Sequence, residues 1–248
     1  MRPIGRHRRR VGVGLIGTVF VSAAFAGPPF ATDDPVPTDH GHWEIYPYAA
    51  GSRTGDTTGG EAGLDVNYGA GEQLQLTVVV PASWESAGGT HFGMGTVQMA
   101  AKYRIANQAS GAPVDIAVFP RVFIPAARDG PGSSEVAVLL PIWLGRAAGP
   151  WYAFGGGGYQ VNPGHENKDF WTGGIALSRT VRAGLDMGAE IYGRTADVVG
   201  GNSFLGFNVG VVWSVSPNWS LLASGGPGLV NAREEGQYSF YLALRADY

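Results

Sequence analysis

Twelve stretches of about ten residues alternate apolar and polar side chains, an export leader precedes them, and the last stretch ends on an aromatic residue. Together these predict an all-β fold, an antiparallel transmembrane β-barrel of about twelve strands with both termini periplasmic. The final stretch, 238–248, reads YSFYLALRADY. Tyr238, Phe240, Leu242, Leu244, Ala246 and Tyr248 share one face; Ser239, Tyr241, Ala243, Arg245 and Asp247 share the other. An apolar face for lipid and a polar face for a lumen fit the closing strand of an outer-membrane barrel, the strand expected to engage the barrel-assembly machinery.

Residues 1–26 read as a signal peptide. Arg2, Arg6, Arg8, Arg9 and Arg10 form a basic start, 11–20 is apolar, and Ala24-Phe25-Ala26 is a small-x-small cleavage site. The apolar run is too short to span a membrane as a helix. The leader holds five arginines and no acids, so the remaining chain has 12 basic and 20 acidic residues, a formal charge of −8. That sign argues against nucleic-acid binding. The chain has no cysteine, which removes disulfides, thiolate metal sites and a cysteine nucleophile.

Residues 27–41 (GPPFATDDPVPTDHG) are rich in proline and acid and lack periodicity; they are expected to form an extended periplasmic lead before a barrel over 42–248. Strands are expected at 41–50, 60–68, 73–80, 96–104, 114–124, 135–144, 151–160, 170–179, 185–194, 203–214, 219–225 and 238–248. Connections after even-numbered strands are mostly tight (69–72, 147–150, 180–184 and 215–218), with 105–113 longer. Those after odd-numbered strands are generally long, as at 52–58, 82–94, 125–134 and 226–237. Short turns on the periplasmic side and longer outer loops follow. Pro47, Pro120 and Pro141 each delete a ladder donor, so bulges are expected there.

The outward faces are almost free of charge. Leu74, Leu76, Val78 and Val80 share one, as do Val136, Val138, Leu140, Ile142 and Leu144, and Leu205, Phe207, Val209 and Val211. Arg179 is the exception, at a strand end where it can snorkel. Trp43, Tyr68, Tyr103, Trp151, Trp213, Trp219 and Tyr248 lie in the outward phase at the periplasmic ends, the level of a membrane girdle. The inward phase carries the polar set. Glu44, Asp65, Gln75, Lys102, Arg104 and Asp115 are expected to line the lumen, with Arg121, Glu190, Arg194 and Arg245. Tyr46, Tyr48, Phe119, Tyr192 and Tyr241 join them and either stack a solute or fill the barrel. Burying so many charges in a dry core is costly, and a wet lumen removes that cost. An ion pair between Glu44 and Arg245 is expected where the first and last strands meet.

A resemblance adds to this. Thr32-Asp33-Asp34-Pro35, Gly41-His42-Trp43-Glu44-Ile45, Leu64-Asp65-Val66-Asn67-Tyr68-Gly69 and Leu74-Gln75-Leu76 resemble a bacterial outer-membrane family labelled "MetA-pathway of phenol degradation", whose members are often called transporters. Val118-Phe119-Pro120 and Leu221-Leu222-Ala223-Ser224-Gly225-Gly226 extend the likeness over most of the mature chain. The resemblance implies an outer-membrane barrel and supplies no catalytic residues.

The expectation is therefore a narrow pore or passive transporter for small solutes, aromatic or apolar ones included, in the outer membrane of a Gram-negative bacterium. Its partner would be outer-membrane lipid, with no metal or cofactor. A closed barrel with a structural or surface role is the alternative. An outer-membrane lipase ranks third, because no histidine lies in outward phase at the outer rim opposite a serine. His40 and His42, with Asp33, Asp34 and Asp39 upstream, offer donors for a metal, a solvated lead beside the girdle being the favoured reading; Asn162, Glu166, Asn167 and Asp169 carry oxygen donors without EF-hand spacing.

Overall fold

The computed structural model describes residues 29–126 and 135–248; the expected leader, and positions 127–134 of an expected outer loop, lie outside that set. Its strands are β1 (Trp43–Thr54), β2 (Thr57–Gly71), β3 (Leu74–Ser86), β4 (Thr90–Met94), β5 (Thr96–Ala106), β6 (Asp115–Val118) and β7 (Arg121–Pro125). They continue as β8 (Ala137–Ala148), β9 (Trp151–Val161), β10 (Phe170–Arg182), β11 (Leu185–Arg194), β12 (Phe204–Ser216), β13 (Trp219–Val230) and β14 (Tyr238–Asp247). β4 and β5 are one strand interrupted at Gly95, and β6 and β7 one interrupted at Phe119 and Pro120. Fourteen segments thus make a closed antiparallel barrel of twelve strands.

Closure falls between β1 and β14, which pair antiparallel from Glu44 opposite Asp247 to Arg53 opposite Tyr238. Trp43 and Tyr248 exchange both backbone hydrogen bonds, at 2.8 and 3.0 Å. Such pairing leaves neither edge with unsatisfied amides, which a nonpolar surrounding would penalise heavily.

The two ends of the barrel differ. At one, two-residue turns join β2 to β3, β8 to β9, β10 to β11 and β12 to β13, while 107–114, with a 3-10 turn at Gln108–Ser110, joins β5 to β6. At the other, 162–169, 195–203 and 231–237 are longer; the last includes α1 (Ala232–Glu235). Two expected loops at this end are instead strand: β1 and β2 meet at Gly55 and Asp56, and β3 and β4 leave only 87–89 between them. These extensions mix glycine and polar residues with only scattered apolar ones such as Trp84 and Phe92, so alternation did not reveal them. Beyond the apolar belt nothing demands alternation.

Bulges are absent from the three prolines. Register continues across Pro120 on both neighbours and across Pro141, and shifts at 69/71, 104/106, 180/182, 205/206 and 214/216 instead. Proline removes a donor without adding a residue, and the carbonyls of Pro120 and Pro141 still accept from Ala101 and Phe119.

The outward residues form an apolar belt: Val78, Val80, Leu140, Ile142 and Val209 are 39–56% exposed. A continuous exposed apolar surface on a folded chain suits lipid contact. Trp43, Tyr103, Trp151, Trp213, Trp219 and Tyr248 ring the short-turn end, with the Tyr68 ring tilted against Trp43 at a centroid distance of 4.5 Å. Arg179 lies over the Trp151 ring at 5.1 Å. A second aromatic level occurs at the loop end, where Trp84 faces Phe92 across β3 and β4 and Tyr159 meets Trp171 at 5.2 Å.

Two measurements test this arrangement. Val78→Arg and Leu140→Arg, mid-belt, should each cost about 2–4 kcal/mol of folding free energy in lipid vesicles, whereas Leu74→Arg at the rim should cost about 0–1 kcal/mol. Equal costs at all three positions would contradict the belt. For closure, Glu44 and Asp247 form the non-hydrogen-bonded pair next to Trp43 and Tyr248. Cα atoms in such pairs lie about 4.5 Å apart, within disulfide range. Cysteines replacing Glu44 and Asp247 should cross-link on oxidation; failure would displace the register.

Candidate functional site

The interior is built from two sources, the inward side chains of the strands and the segment before β1. That segment does not trail outside the barrel. Phe30, Thr32, Asp33, Pro35 and Thr38 are buried within it, which corrects, for residues 30–38, the expectation of a periplasmic lead over 27–41. The reason is specific bonding. The Glu190 carboxylate, 1% exposed in mid-β11, accepts from the backbone of Ala31 and Thr32 at 2.9 and 2.8 Å and from Asn208 at 2.8 Å. Gln75 accepts from the Thr38 amide at 2.8 Å, and Ser224 donates to the Pro29 carbonyl. Phe30 packs with Phe154 and Ala176.

Asp33 is the charged anchor. It is wholly buried, bonds Lys102 Nζ at 3.0 Å through Oδ1, and bonds Arg121 through Oδ2. Both cations also lie over the Phe119 ring, at 4.8 and 4.2 Å. One carboxylate thus bridges two wall cations, offsetting half of their combined charge, through charge-assisted hydrogen bonds to each. Glycines make room for the segment. A Cβ on Gly174 would lie 2.2 Å from Thr32 Oγ1, and one on Gly210 2.7 Å from the Phe30 ring.

Of the residues expected inside, Tyr46, Tyr48, Gln75, Lys102, Asp115, Phe119, Arg121, Glu190 and Tyr241 are buried; Glu44, Asp65, Arg104, Tyr192, Arg194 and Arg245 are half-buried. Glu44, Tyr46, Asp65, Gln75, Lys102, Phe119, Arg121 and Arg245 converge, with Asp33 and Asp34, on a cavity of about 230 Å³. The others serve elsewhere. Asp115 accepts from the Gln108 amide at 2.9 Å in the turn, and Arg104 reaches the Glu72 carbonyl. Tyr48 donates to buried Glu61 at 2.8 Å and stacks on Tyr241 at 5.9 Å. Tyr192 bonds Ser239 at 2.9 Å. Arg194 ties the long loops together through Asp197 and Glu235, both at 2.9 Å.

The expected pair of Glu44 and Arg245 is replaced by another. Arg245 bonds Asp247, two residues along its own strand, at 3.1 Å, and Glu44 accepts from Tyr46 at 2.6 Å. The register that sets Glu44 opposite Asp247 accounts for the change. Alternation did not single out Asp33, Asp34 or the inward Trp143, which packs with Phe119. The Asp-Asp-Pro run offered a local signal, but its partners lie 69 and 88 residues away. Among the described residues, no group of three or more acidic or histidine side chains is arranged to hold a metal ion.

Breaking a buried ion pair by removing one partner typically costs about 3–5 kcal/mol, because the remaining charge is stranded. Asp33→Asn should therefore unseat the segment. Hydrogen exchange at the Ala31 and Thr32 amides should accelerate while the strand amides keep their protection. Equal loss of protection in the strands would mean that Asp33 supports the barrel itself.

No protein-family model and no curated protein matches the chain. Solved structures do. An outer membrane channel from Pseudomonas putida F1 aligns with 87% of this chain and 98% of its own at 15% identity and a TM-score of 0.71. The NanC porin aligns with 82% and 98% at 10% identity and a TM-score of 0.55. The translocator domain of the autotransporter NalP from Neisseria meningitidis aligns with 84% and 89% at 11% identity and a TM-score of 0.51. What these proteins share with this chain is the fold, a closed outer-membrane-type β-barrel.

Proposed function

We propose that the protein is a narrow pore or passive transporter for small solutes in the outer membrane of a Gram-negative bacterium. Its short-turn end, where β1 begins and β14 ends, would face the periplasm, and β14 would be the element handed to the assembly machinery. The observation that carries this reading is a closed barrel whose interior holds a charged cavity, bounded by the wall and the amino-terminal segment. A solute would diffuse past a constriction made by that segment and the Lys102, Phe119 and Arg121 group, with charge and width setting selectivity. Likeness in fold to a channel and a porin supports the reading, as does the resemblance to transporters of the phenol-degradation family. Aromatic solutes are the finer part of the proposal. Tyr48, Tyr241, Tyr152 and Phe154 supply ring faces, although they pack on one another.

The burial of the segment favours a second reading, a barrel kept closed by its own amino terminus. Planar-bilayer recording separates the two. The pore reading expects small, discrete conductance from the intact protein and a larger one after deletion of residues 30–38. Silence from both would leave the closed barrel.

A further inference from the structure

The two adjacent aspartates of the inserted segment have opposite duties. Asp33 is consumed by the wall cations; Asp34 lines the cavity. Three cations face that cavity, and each is already bonded to a carboxylate: Lys102 and Arg121 to Asp33, Arg245 to Asp247. Three further carboxylates line it, Asp34, Glu44 and Asp65, and none forms an ion pair among the described residues. Each accepts a hydrogen bond from a neutral donor instead: the Val36 amide at 2.7 Å, the Tyr46 hydroxyl at 2.6 Å and the Asn67 amide group at 2.9 Å. Such donors orient a carboxylate without neutralising it. The remaining wall includes Tyr46, Val79 and Phe119, low-dielectric surfaces that strengthen a nearby charge's field.

We infer that this cavity is a cation-selective vestibule, and that Asp34, Glu44 and Asp65 are its specificity-determining residues. The solutes it favours are small monovalent cations, alkali ions or protonated amines. The carboxylates stand on different walls, β1, β2 and the inserted segment, and are not grouped to coordinate one metal ion. The device is therefore a field of fixed charge, as in channels with acidic rings, and not a tight binding site. Lys102, Arg121 and Arg245 do not give the opposite preference, because Asp33 and Asp247 offset two of these three charges and Asp34, Glu44 and Asp65 outnumber the one that remains.

The inference rests on the pore reading, and zero-current potentials across a potassium chloride gradient test it. The full mature chain in planar bilayers should prefer potassium over chloride several-fold. Glu44→Gln and Asp65→Asn should each lower that ratio, and the Asp34→Asn/Glu44→Gln/Asp65→Asn variant should bring it to unity or below. These neutral replacements keep an acceptor oxygen, and folding is checked by the compact barrel's migration on unheated gels. Asp56→Asn, which removes the same charge at the exposed turn between β1 and β2, should leave the ratio in place. Chloride preference in the native protein, or a ratio unmoved in the triple variant, overturns the vestibule and leaves the pore standing. A protein silent in bilayers overturns both.

Discussion

Inside hydrocarbon, a strand's amides and carbonyls have only the neighbouring strands to bond, and the pairing of β1 with β14 is what makes that possible for every strand of this chain. Until that seam closes, two edges are open. Once it does, the number of strands and the direction of each side chain follow. One face of every strand must meet the apolar surround, and the other must meet whatever the barrel encloses. The near absence of charge from one phase over twelve strands is the sequence's response to that constraint.

Closure creates a second problem, because the enclosed space must be filled or wetted. The expectation of a wet lumen explained the inward charges by leaving them in water. The structure resolves them differently in different places. Glu190, 1% exposed, is satisfied by two backbone amides and Asn208; Lys102 and Arg121 are satisfied by Asp33. In these places the interior is a packed polar core, held by a chain segment that is itself part of the filling. Beside Asp34, Glu44 and Asp65 it retains a cavity. Gln75 shows how far the packing goes: it bonds Thr38, Asn67 and Thr77 at once, so it cannot be exchanged as a solvated lumen residue could.

What was legible in the sequence was what repeats. Period-two alternation located all twelve strands, the tight turns and the outward phase, because the seam and the apolar belt impose the same demand on each strand. Boundaries failed where that demand ends. Ser52 to Thr54 and the hairpin around Ser86 and Thr90 lie beyond the belt, and polar strand there looks like loop. The inserted segment was hidden for a different reason. It has no regular structure, and its partners Gln75, Lys102, Arg121, Glu190 and Ser224 are scattered across the barrel, one of them 195 residues away. Proline and acid in such a stretch suggest exposed chain. Here proline sets an extended path, and the acid finds buried cations.

That misreading also explains the mixed electrostatics of the interior. A strand face records charges but not their partners, and lysine and arginine at inward positions look like anion-attracting groups. Their partner Asp33 comes from outside the strands, so no comparison of strand faces could have shown that it offsets part of their charge. Arg245 follows the same rule on a smaller scale. Its partner is Asp247 on the same face of its own strand, and the acid across the seam, Glu44, is left to a tyrosine hydroxyl. In both cases the sign of the field depends on which charges are paired, and that was settled by how the chain end folds inward and where the seam registers.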